Sequence, residues 1–511
     1  LFIEILIMTK KYFGINPYNH DLGAVVLNEN GELEFYAEVS RFSKQKYYNN
    51  INPILKFLPK PQKKDIICLP SFFNNPNPIN YWINPIIATK WSDTSIGSHL
   101  PSDYFPNFCI NHHLCHILSS WSFRENDDTR FCMAYDGSGS TANGETSSCL
   151  GGFIGEDGFS LKVLEPKIPT SGIVGNLLGG DTAGKTMGLV GFLNEDLGSF
   201  KNSEVSSLIY SIFEKVWPLD VPNFNKNKNI SKNDMILSAK LYKLWMDFTW
   251  EKILINLQNF TPNKELGIVV GGGTCLALEL NTNISNLTKD FVFGPPVNDS
   301  GLALGAACYG YFLDKGRWPP ALNTPSIMYL QEPLPKTGVQ EPKEIAKLIA
   351  QDKVVGLLRG KAECGPRALG FRSILANASK YQNLKRVSQD LKGREYYRPL
   401  APMVTEESFD RYFIGPKGEY MQFKCECTLA AQTECPAIVH KDNSSRPQVV
   451  NKNKDPWLHE LLVEYGKMTG SECLINTSLN GPGKPICNTY NDALSDFKDK
   501  EIELISIPLD D

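Results

Sequence analysis

From residue 12 onward the chain alternates short apolar runs with turn residues. Residues 12–15 and 23–27 are apolar, 28–31 have turn composition, and 33–39 alternate apolar and polar side chains. That pattern predicts a meander of strands opening an α/β domain. Two later runs, 131–135 and 266–270, are continuously apolar, as buried strands are. Each stops at a Gly-rich stretch, Asp136-Gly-Ser-Gly-Ser and Gly271-Gly-Gly-Thr. Residues 301–312 are rich in Ala and Gly and predict a closely packed helix. The Asn- and Lys-rich residues 223–233 read as loop. A Pro-rich, unpatterned stretch begins near Trp318, and residues 326–340 within it are expected to link two domains, 9–325 and 341–511. Beyond it, 342–351 predict an amphipathic helix and 354–358 a strand.

Composition narrows the picture. With 511 residues, 42% hydrophobic and 21% charged, the chain has ample core for two or three globular domains. A net charge of −4 is unlike a duplex-DNA binder, so no polymeric nucleic acid is expected, although small anions need only a local patch. Thirteen scattered cysteines, an odd number, fit reduced, buried thiols. Cys425, Cys427, Cys435 and His440 match no usual zinc spacing. Residues 1–8 are apolar but too short to span a bilayer and lack the basic start of a signal peptide; Met8 reads as the natural start. No membrane association and a cytoplasmic location are expected; the oligomeric state is left open.

The densest candidate chemistry is Ile110-Asn-His-His-Leu-Cys-His. His112 and His116 stand at i and i+4, so one helix face can offer both imidazoles to one metal ion; the alternative is two surface histidines. Further ligands are sought in Asp136 and Asp299, both beside turn residues, where capping is the commoner role. His113 points about 100° away on a helix and is preferred as a group that contacts substrate or supports the metal ligands from behind. The loops Gly137-Ser138 and Gly271, Gly272, Gly273, with Lys185 in Gly184-Lys-Thr-Met-Gly-Leu, suggest a nucleotide cradle. P-loop and Rossmann fingerprints and a Gly-x-Ser-x-Gly nucleophile are missing. Residues 359–398 carry ten basic and three acidic side chains, a local +7. Arg359, Arg367, Arg372, Lys392, Arg394 and Arg398 sit there among Gly, Pro and apolar residues, as anion-binding arginines do. Thr477, Ser478 and Asn480 add hydroxyl and amide donors.

Together these strings resemble the O-carbamoyltransferases of the nodulation and antibiotic-tailoring type, over nearly the whole chain. His20-Asp21 with Gly23-Ala24, the segment 38–42 ending Arg-Phe, His112-x-x-x-His116, Gly184-Lys-x-Met-Gly-Leu, Gly271-Gly-Gly and Asp299-x-Gly-Leu-Ala-Leu-Gly-Ala-Ala follow in family order. Glu363-x-Gly-Pro-Arg-Ala-Leu-Gly-x-Arg-Ser-Ile-Leu-Ala is the most specific string, and Arg394-Glu, Arg398-Pro, Ala401-Pro and Asn476-Thr-Ser-Leu-Asn complete the set. Departures fall at Leu276 and Ala277, where an Asn is common (Asn281 is retained nearby), at Lys484, where Glu is commoner, and at Glu38-Val-Ser-Arg.

The resemblance implies an α/β protein of two domains. The first would have an actin-type ATPase fold, similar to the threonylcarbamoyl transferases, and the second would be YrdC-like. It implies carbamoyl phosphate and ATP with Mg2+ as reactants, carbamoyl-adenylate as intermediate, and transfer of the carbamoyl group to a hydroxyl of a small acceptor. That acceptor would be a sugar or natural product, or a 5-hydroxymethyl pyrimidine nucleotide. It implies a divalent transition metal, Fe2+ before Zn2+ or Mn2+, on His112, His116, Asp299 and Asp136. His20, His113 and Asp21 would handle the acceptor's proton. Nucleotide contacts would come from Gly137, Ser138, Lys185, Gly271, Gly272, Gly273 and Asn281. The adenylate site would use Arg359, Arg367, Arg372, Lys392, Arg394, Arg398, Thr477, Ser478 and Asn480. The rival readings are a threonylcarbamoyl-transferase-like enzyme acting on tRNA and a nucleotide-binding regulatory protein.

Overall fold

A computed structural model describes residues 9–17, 21–71, 88–90, 100–140, 146–164, 183–193, 232–260 and 266–509. The N-terminal part contains two sheets. The first holds β1 (Tyr12–Asn16), β2 (Gly23–Leu27), β3 (Leu33–Glu38), β4 (Ile66–Pro70), β5 (Ala88–Lys90) and β6 (Phe108–Ile110), in the order β3-β2-β1-β4-β6-β5. The second holds β7 (Arg130–Ser140), β8 (Thr146–Gly155), β9 (Gly158–Val163), β10 (Gly267–Gly271) and β11 (Phe291–Phe293), in the order β11-β10-β7-β8-β9.

The two sheets share one plan. In each, the first strand pairs antiparallel with the second and the second with the third; β4 and β6 then run parallel to β1, as β10 and β11 do to β7, and β5 adds an antiparallel edge strand to the first sheet. With the edge strand β5 set aside, both sheets repeat one 3-2-1-4-5 order, as expected of an actin-type fold. The strands form because their runs are buried on both faces: β1, β2 and β10 are buried at every position. Helices His112–Trp121 and Leu302–Lys315 pack against each other between the sheets. Their approach is close: a side chain at Gly305 would place Cβ 2.0 Å from the Cys115 carbonyl oxygen. The predicted Ala/Gly-rich helix is therefore present, and its composition is a packing requirement.

One local expectation is corrected. The run 131–135 does not end in a turn at Asp136. Strand β7 continues to Ser140 and pairs with β8 on both sides of a register shift between Tyr135 and Gly139. The Gly-rich segment accommodates that irregularity. Most of the loop expected at 223–233 lies outside the described residues; Lys232 and Asn233 begin a long helix, Lys232–Phe260. Among the described residues no helix is long and apolar enough to cross a membrane.

The C-terminal part holds β12 (Val355–Arg359), β13 (Arg372–Asn377), β14 (Ala401–Thr405), β15 (Phe413–Ile414), β16 (Cys425–Cys427), β17 (Ser444–Ser445), β18 (Gln448–Val450), β19 (Cys473–Ser478) and β20 (Glu503–Ile507). Six of these form one mixed sheet, β18-β14-β19-β13-β12-β20, and β15, β16 and β17 form a small second one. Helices Pro342–Ala350 and Pro456–Thr469 cover one face through Ile345, Ile349, Leu458, Leu461 and Leu462. The second helix starts where its sequence says: Asp455 accepts from the Leu458 N–H at 3.0 Å, Pro456 follows, and Gly470 ends it in the left-handed region.

The stretch between the two parts lacks regular structure but is fastened to both. The Leu322 N–H donates to Ser122, Tyr329 to Tyr36 and Met328 to Ala362. Ala362 and Cys364 are buried in the N-terminal core. The linker is a strap laid along a joint.

Candidate active site

Asn111 caps the histidine helix, its Oδ1 accepting from the Leu114 N–H at 3.0 Å, so His112 begins the first turn. One turn on, His116 faces the same way. Their Nε2 atoms lie 3.1 Å apart, and His112 and His116 are 1% and 0% exposed. Asp136, on β7, places Oδ2 3.1 Å from His112 Nε2 and 3.3 Å from His116 Nε2. Asp299, at the start of the Ala/Gly-rich helix, places Oδ1 3.4 Å from His116 Nε2 and 3.9 Å from His112 Nε2. The four ligand atoms lie within 4.8 Å of one another; no other such group of His, Cys, Asp and Glu occurs among the described residues.

Burial alone would lower the His116 pKa, but the two aspartates outweigh it and push it up to about 9. Burial likewise opposes ionisation of Asp136, and the two histidines overcome it, holding the carboxyl well below its usual range. Two imidazole nitrogens 3.1 Å apart repel unless a proton or a cation lies between them. Two neutral imidazoles and two carboxylates are a donor set suited to Fe2+, Zn2+ or Mn2+. The residues present therefore fit the metal that the resemblance implies.

The groups around this cluster are tied to it. Gly273 donates its N–H to Asp136 Oδ1 at 3.1 Å. Gly272 has φ +96°, and a Cβ there would fall 2.1 Å from the Tyr135 carbonyl oxygen, so the glycine run lets β10 approach β7 closely enough to make that bond. Asp21 accepts from Asn298 Nδ2 at 2.9 Å, one residue before Asp299. His113 is fully buried, its ring edge-on to that of His112. Asn281 is buried in helix Leu278–Ser285 and donates to the Cys275 and Gln422 carbonyls, joining the two parts of the chain. All of His20 and the side chains of Ser138 and Lys185 lie outside the described residues; Gly137 stands within β7.

Across the joint lies a cavity of about 160 Å³. Met187, Val190, Tyr242, Met246 and Leu278 form its N-terminal wall, and Arg367, Arg394, Arg398 and Arg446 its C-terminal wall. Burial and then the neighbouring arginines push Arg394 down to about 9 and Arg446 well below its ordinary value. Arginine holds its proton in proteins, so such tension is relieved by an entering anion. Arg446 Nε is buried with no hydrogen-bond partner among the described residues. The wall continues through Lys424, His440 and Asp442, with Lys424 Nζ 3.1 Å and His440 Nδ1 3.3 Å from Asp442.

The remaining sequence candidates separate into two groups. Lys392 Nζ meets Ser478 Oγ at 3.2 Å and Asn480 Oδ1 at 2.8 Å, beside the buried Thr477. Burial and the charges of Arg394 and Arg398 depress its pKa strongly. Arg359 and Arg372 are placed differently. Arg359 pairs with Asp455 and stacks on Phe371 and Trp457. Arg372 is fully buried and donates to the carbonyls of Asn488, Arg359, Phe371 and Gly360. Neither lines the cavity. Arg446, Lys424 and Asp442 lie beyond the charge-rich window and were not singled out, and His440 was weighed only as a zinc ligand; Ser444-Ser-Arg-Pro-Gln, a lone arginine among turn residues, was the available signal.

Residues 346–508 match the family described as Carbamoyltransferase C-terminus. The chain is 35% identical over 249 residues to Nodulation protein U of Sinorhizobium fredii (strain NBRC 101917 / NGR234), a match covering 46% of this chain and 44% of that protein. It is 30% identical over 263 residues to Nodulation protein NolO of Bradyrhizobium diazoefficiens, covering 46% of this chain and 47% of that protein. The chain spans about half the length of these relatives. Among solved structures, full-length HypF in the phosphate- and nucleotide-bound form aligns over 61% of this chain and 48% of its own, with 12% identity and a TM-score of 0.33. P. abyssi Sua5 complexed with L-threonine aligns over 34% of this chain and 49% of its own, with 15% identity and a TM-score of 0.25.

Proposed function

We propose that this chain, whose residues 346–508 form a carbamoyltransferase C-terminal domain, is an ATP-dependent O-carbamoyltransferase. One observation carries the reading: four arginines converge on a cavity at the joint, in the domain that matches this family. A carbamoyl group is a poor electrophile until it carries a good leaving group, and carbamoyl phosphate and ATP are both polyanions. Arg367, Arg394, Arg398 and Arg446 would bind and orient their phosphates and neutralise charge as water cleaves carbamoyl phosphate to carbamate and inorganic phosphate, and the carbamate oxygen then attacks the α-phosphorus of ATP, forming carbamoyl-adenylate and expelling pyrophosphate. Mg2+ would accompany ATP. Lys392, buried against Ser478 and Asn480, is a second cation beside the same arginines.

The second half-reaction is assigned to the histidine–aspartate cluster. A divalent metal held by His112, His116, Asp136 and Asp299 would supply Lewis-acid polarisation of the carbamoyl oxygen. The acceptor hydroxyl attacks the carbamoyl carbon, the bond to the AMP oxygen breaks, and the hydroxyl proton leaves to a base. His20 and Asp21, adjacent in sequence, are proposed to hold that proton, and His113 to brace the ring of His112. Helix Leu278–Ser285 runs between the sites: its approach carries Gly273, bonded to Asp136, and its first residues line the cavity.

The acceptor is proposed to be a small hydroxylated molecule, either a sugar or a 5-hydroxymethyl pyrimidine nucleotide. The test is carbamoyl-phosphate-dependent pyrophosphate release from ATP, with each acceptor class offered and masses read for one added carbamoyl group. Release with a shifted acceptor establishes the reaction and its substrate. No release with the metal supplied and thiols reduced sinks the reading and favours a nucleotide-binding protein.

A further inference from the structure

Helix Val39–Ser43 belongs to the N-terminal part, yet its one charged residue, Arg41, and its flanking residues Glu38 and Lys44 all reach the C-terminal part. Arg41 is 3% exposed; its Nε lies 3.2 Å from Glu38 Oε2, and its Nη2 donates to the Gly365 carbonyl at 2.7 Å and the Glu363 carbonyl at 3.2 Å. Glu38 Oε1 accepts the Gly365 N–H at 2.6 Å. The Tyr36 hydroxyl lies 3.2 Å from that same oxygen and 3.0 Å from the carbonyl of Ser300, the residue after Asp299. Just beyond the helix, Lys44 Nζ lies 2.6 Å from Asp492.

The loop held in this way is 363–370. It is tied to itself by Glu363, whose Oε1 accepts from the N–H of Leu369 at 2.7 Å and of Arg372 at 3.3 Å. It is seated on the N-terminal part at Gly365, where φ is +79° and a Cβ would fall 2.3 Å from the Pro295 carbonyl oxygen. Pro295 begins the loop that ends in Asp299. Arg367, at the middle of the held loop, lines the cavity. One bonded path therefore runs from a cavity arginine, through Gly365, Glu38 and Tyr36, to the backbone beside a cluster aspartate.

Apolar residues would close such a joint at lower cost, because a buried ion pair must first be desolvated. What the ionic groups add is direction. Arg41 and Glu38 together grip the N–H and the C=O of one residue, Gly365, and leave the loop one orientation. We infer that Glu38 and Arg41 are positioning residues that set Arg367 relative to the histidine–aspartate cluster, and so couple activation in the cavity to transfer at the cluster. The coupling rests on the proposed carbamoyl transfer; the positioning of Arg367 does not.

The experiment compares the full chain with Arg41→Met, Arg41→Lys and Glu38→Gln. It reads the KM for carbamoyl phosphate, the ratio of pyrophosphate released to carbamoylated product, the affinity for inorganic phosphate, and the thermal midpoint. A misplacement of about 1 Å can cost roughly 100-fold in rate. Arg41→Met should raise the KM and weaken phosphate binding about tenfold or more. Its pyrophosphate-to-product ratio should exceed that of the unsubstituted chain, because the activated carbamoyl group hydrolyses before transfer. Arg41→Lys and Glu38→Gln, each retaining part of the grip, should fall between and serve if Arg41→Met does not fold. A lowered midpoint with unchanged KM, ratio and phosphate affinity would reduce the joint to a structural fastening and overturn the inference. If the unsubstituted chain releases no pyrophosphate, the function reading fails, and phosphate affinity alone decides the positioning of Arg367.

Discussion

Replacing Arg446 by Met should act with opposite signs on the empty protein and on its affinity for phosphate. Arg446 is half-buried, its Nε is buried with no hydrogen-bond partner among the described residues, and Arg367, Arg394 and Arg398 all disfavour its charge. At an effective dielectric near 20, two like charges 8 Å apart repel by about 2 kcal/mol. Because Arg446 is only half-buried, solvent screening discounts that, and three such neighbours together oppose its charge by on the order of 3 kcal/mol. Methionine keeps the apolar stem and removes the charge. The thermal midpoint of the empty protein should therefore rise, at about 2–4 °C per kcal/mol for a domain of this size. Phosphate loses one charge-assisted hydrogen bond worth about 1.5–3 kcal/mol, which weakens its binding roughly 10- to 150-fold. The assay is thermal unfolding with and without inorganic phosphate and carbamoyl phosphate, at fixed ionic strength. A lower midpoint for Arg446→Met with unchanged phosphate affinity would refute the argument that these arginines are held in tension for an anion.

Asp136→Asn keeps the acceptor for the Gly273 N–H but removes the charge between the histidines, so metal affinity should fall by at least about 100-fold, read by elemental analysis of the purified protein against added metal. Arg359→Ala should destabilise the C-terminal domain by about 1–3 kcal/mol through lost pairing with Asp455 and lost stacking, and leave phosphate affinity unchanged; a weakened affinity would return Arg359 to the anion site. Burial would raise the Asp442 pKa, but its bonds to His440 and Ser444 and the charge of Lys424 hold it below the usual range. Its contribution is therefore fully present above the unfolded value near pH 4 and is lost progressively as pH falls from there through the lower folded value. His440→Phe should be less stable than the unsubstituted chain at pH 7 and converge with it below pH 4; a gap constant with pH in urea unfolding would contradict this.

Strand positions were legible because their apolar runs are unbroken and end at glycine. Strands β1, β7 and β10 all start within a residue of the expected places. The histidine pair was legible from its i, i+4 spacing, and Asp136 and Asp299 from their places near turn residues. Asp136-Gly-Ser-Gly-Ser was misread because continuation of β7 to Ser140 depends on pairing with β8, which no local pattern encodes. The arginines show a different limit. Charge density cannot tell whether a guanidinium faces a ligand or backbone carbonyls, so Arg372 and Arg398 read alike and are placed differently. Arg446 reaches the cavity because parallel pairing of β14 with β18 brings residues 446 and 398, 48 positions apart, to one wall.

The packing of β1 has a consequence for how the protein is made. The Tyr12 hydroxyl bonds to Asp314 across 302 residues, and Gly14 lies so close to the Ala303 backbone that no side chain fits between them. A ribosome adding roughly 5–20 residues per second needs about 15–60 s to supply that partner after β1 emerges. Through that interval β1 gains its neighbours β2 and β4 but not the helix that covers it, and an apolar face stays open to solvent and to other nascent chains. Slower translation lengthens the exposure, and a chaperone that shields it shortens the risk without touching the native state. Recovery of soluble protein from a host should therefore follow how that interval is bridged more closely than how stable the finished molecule is.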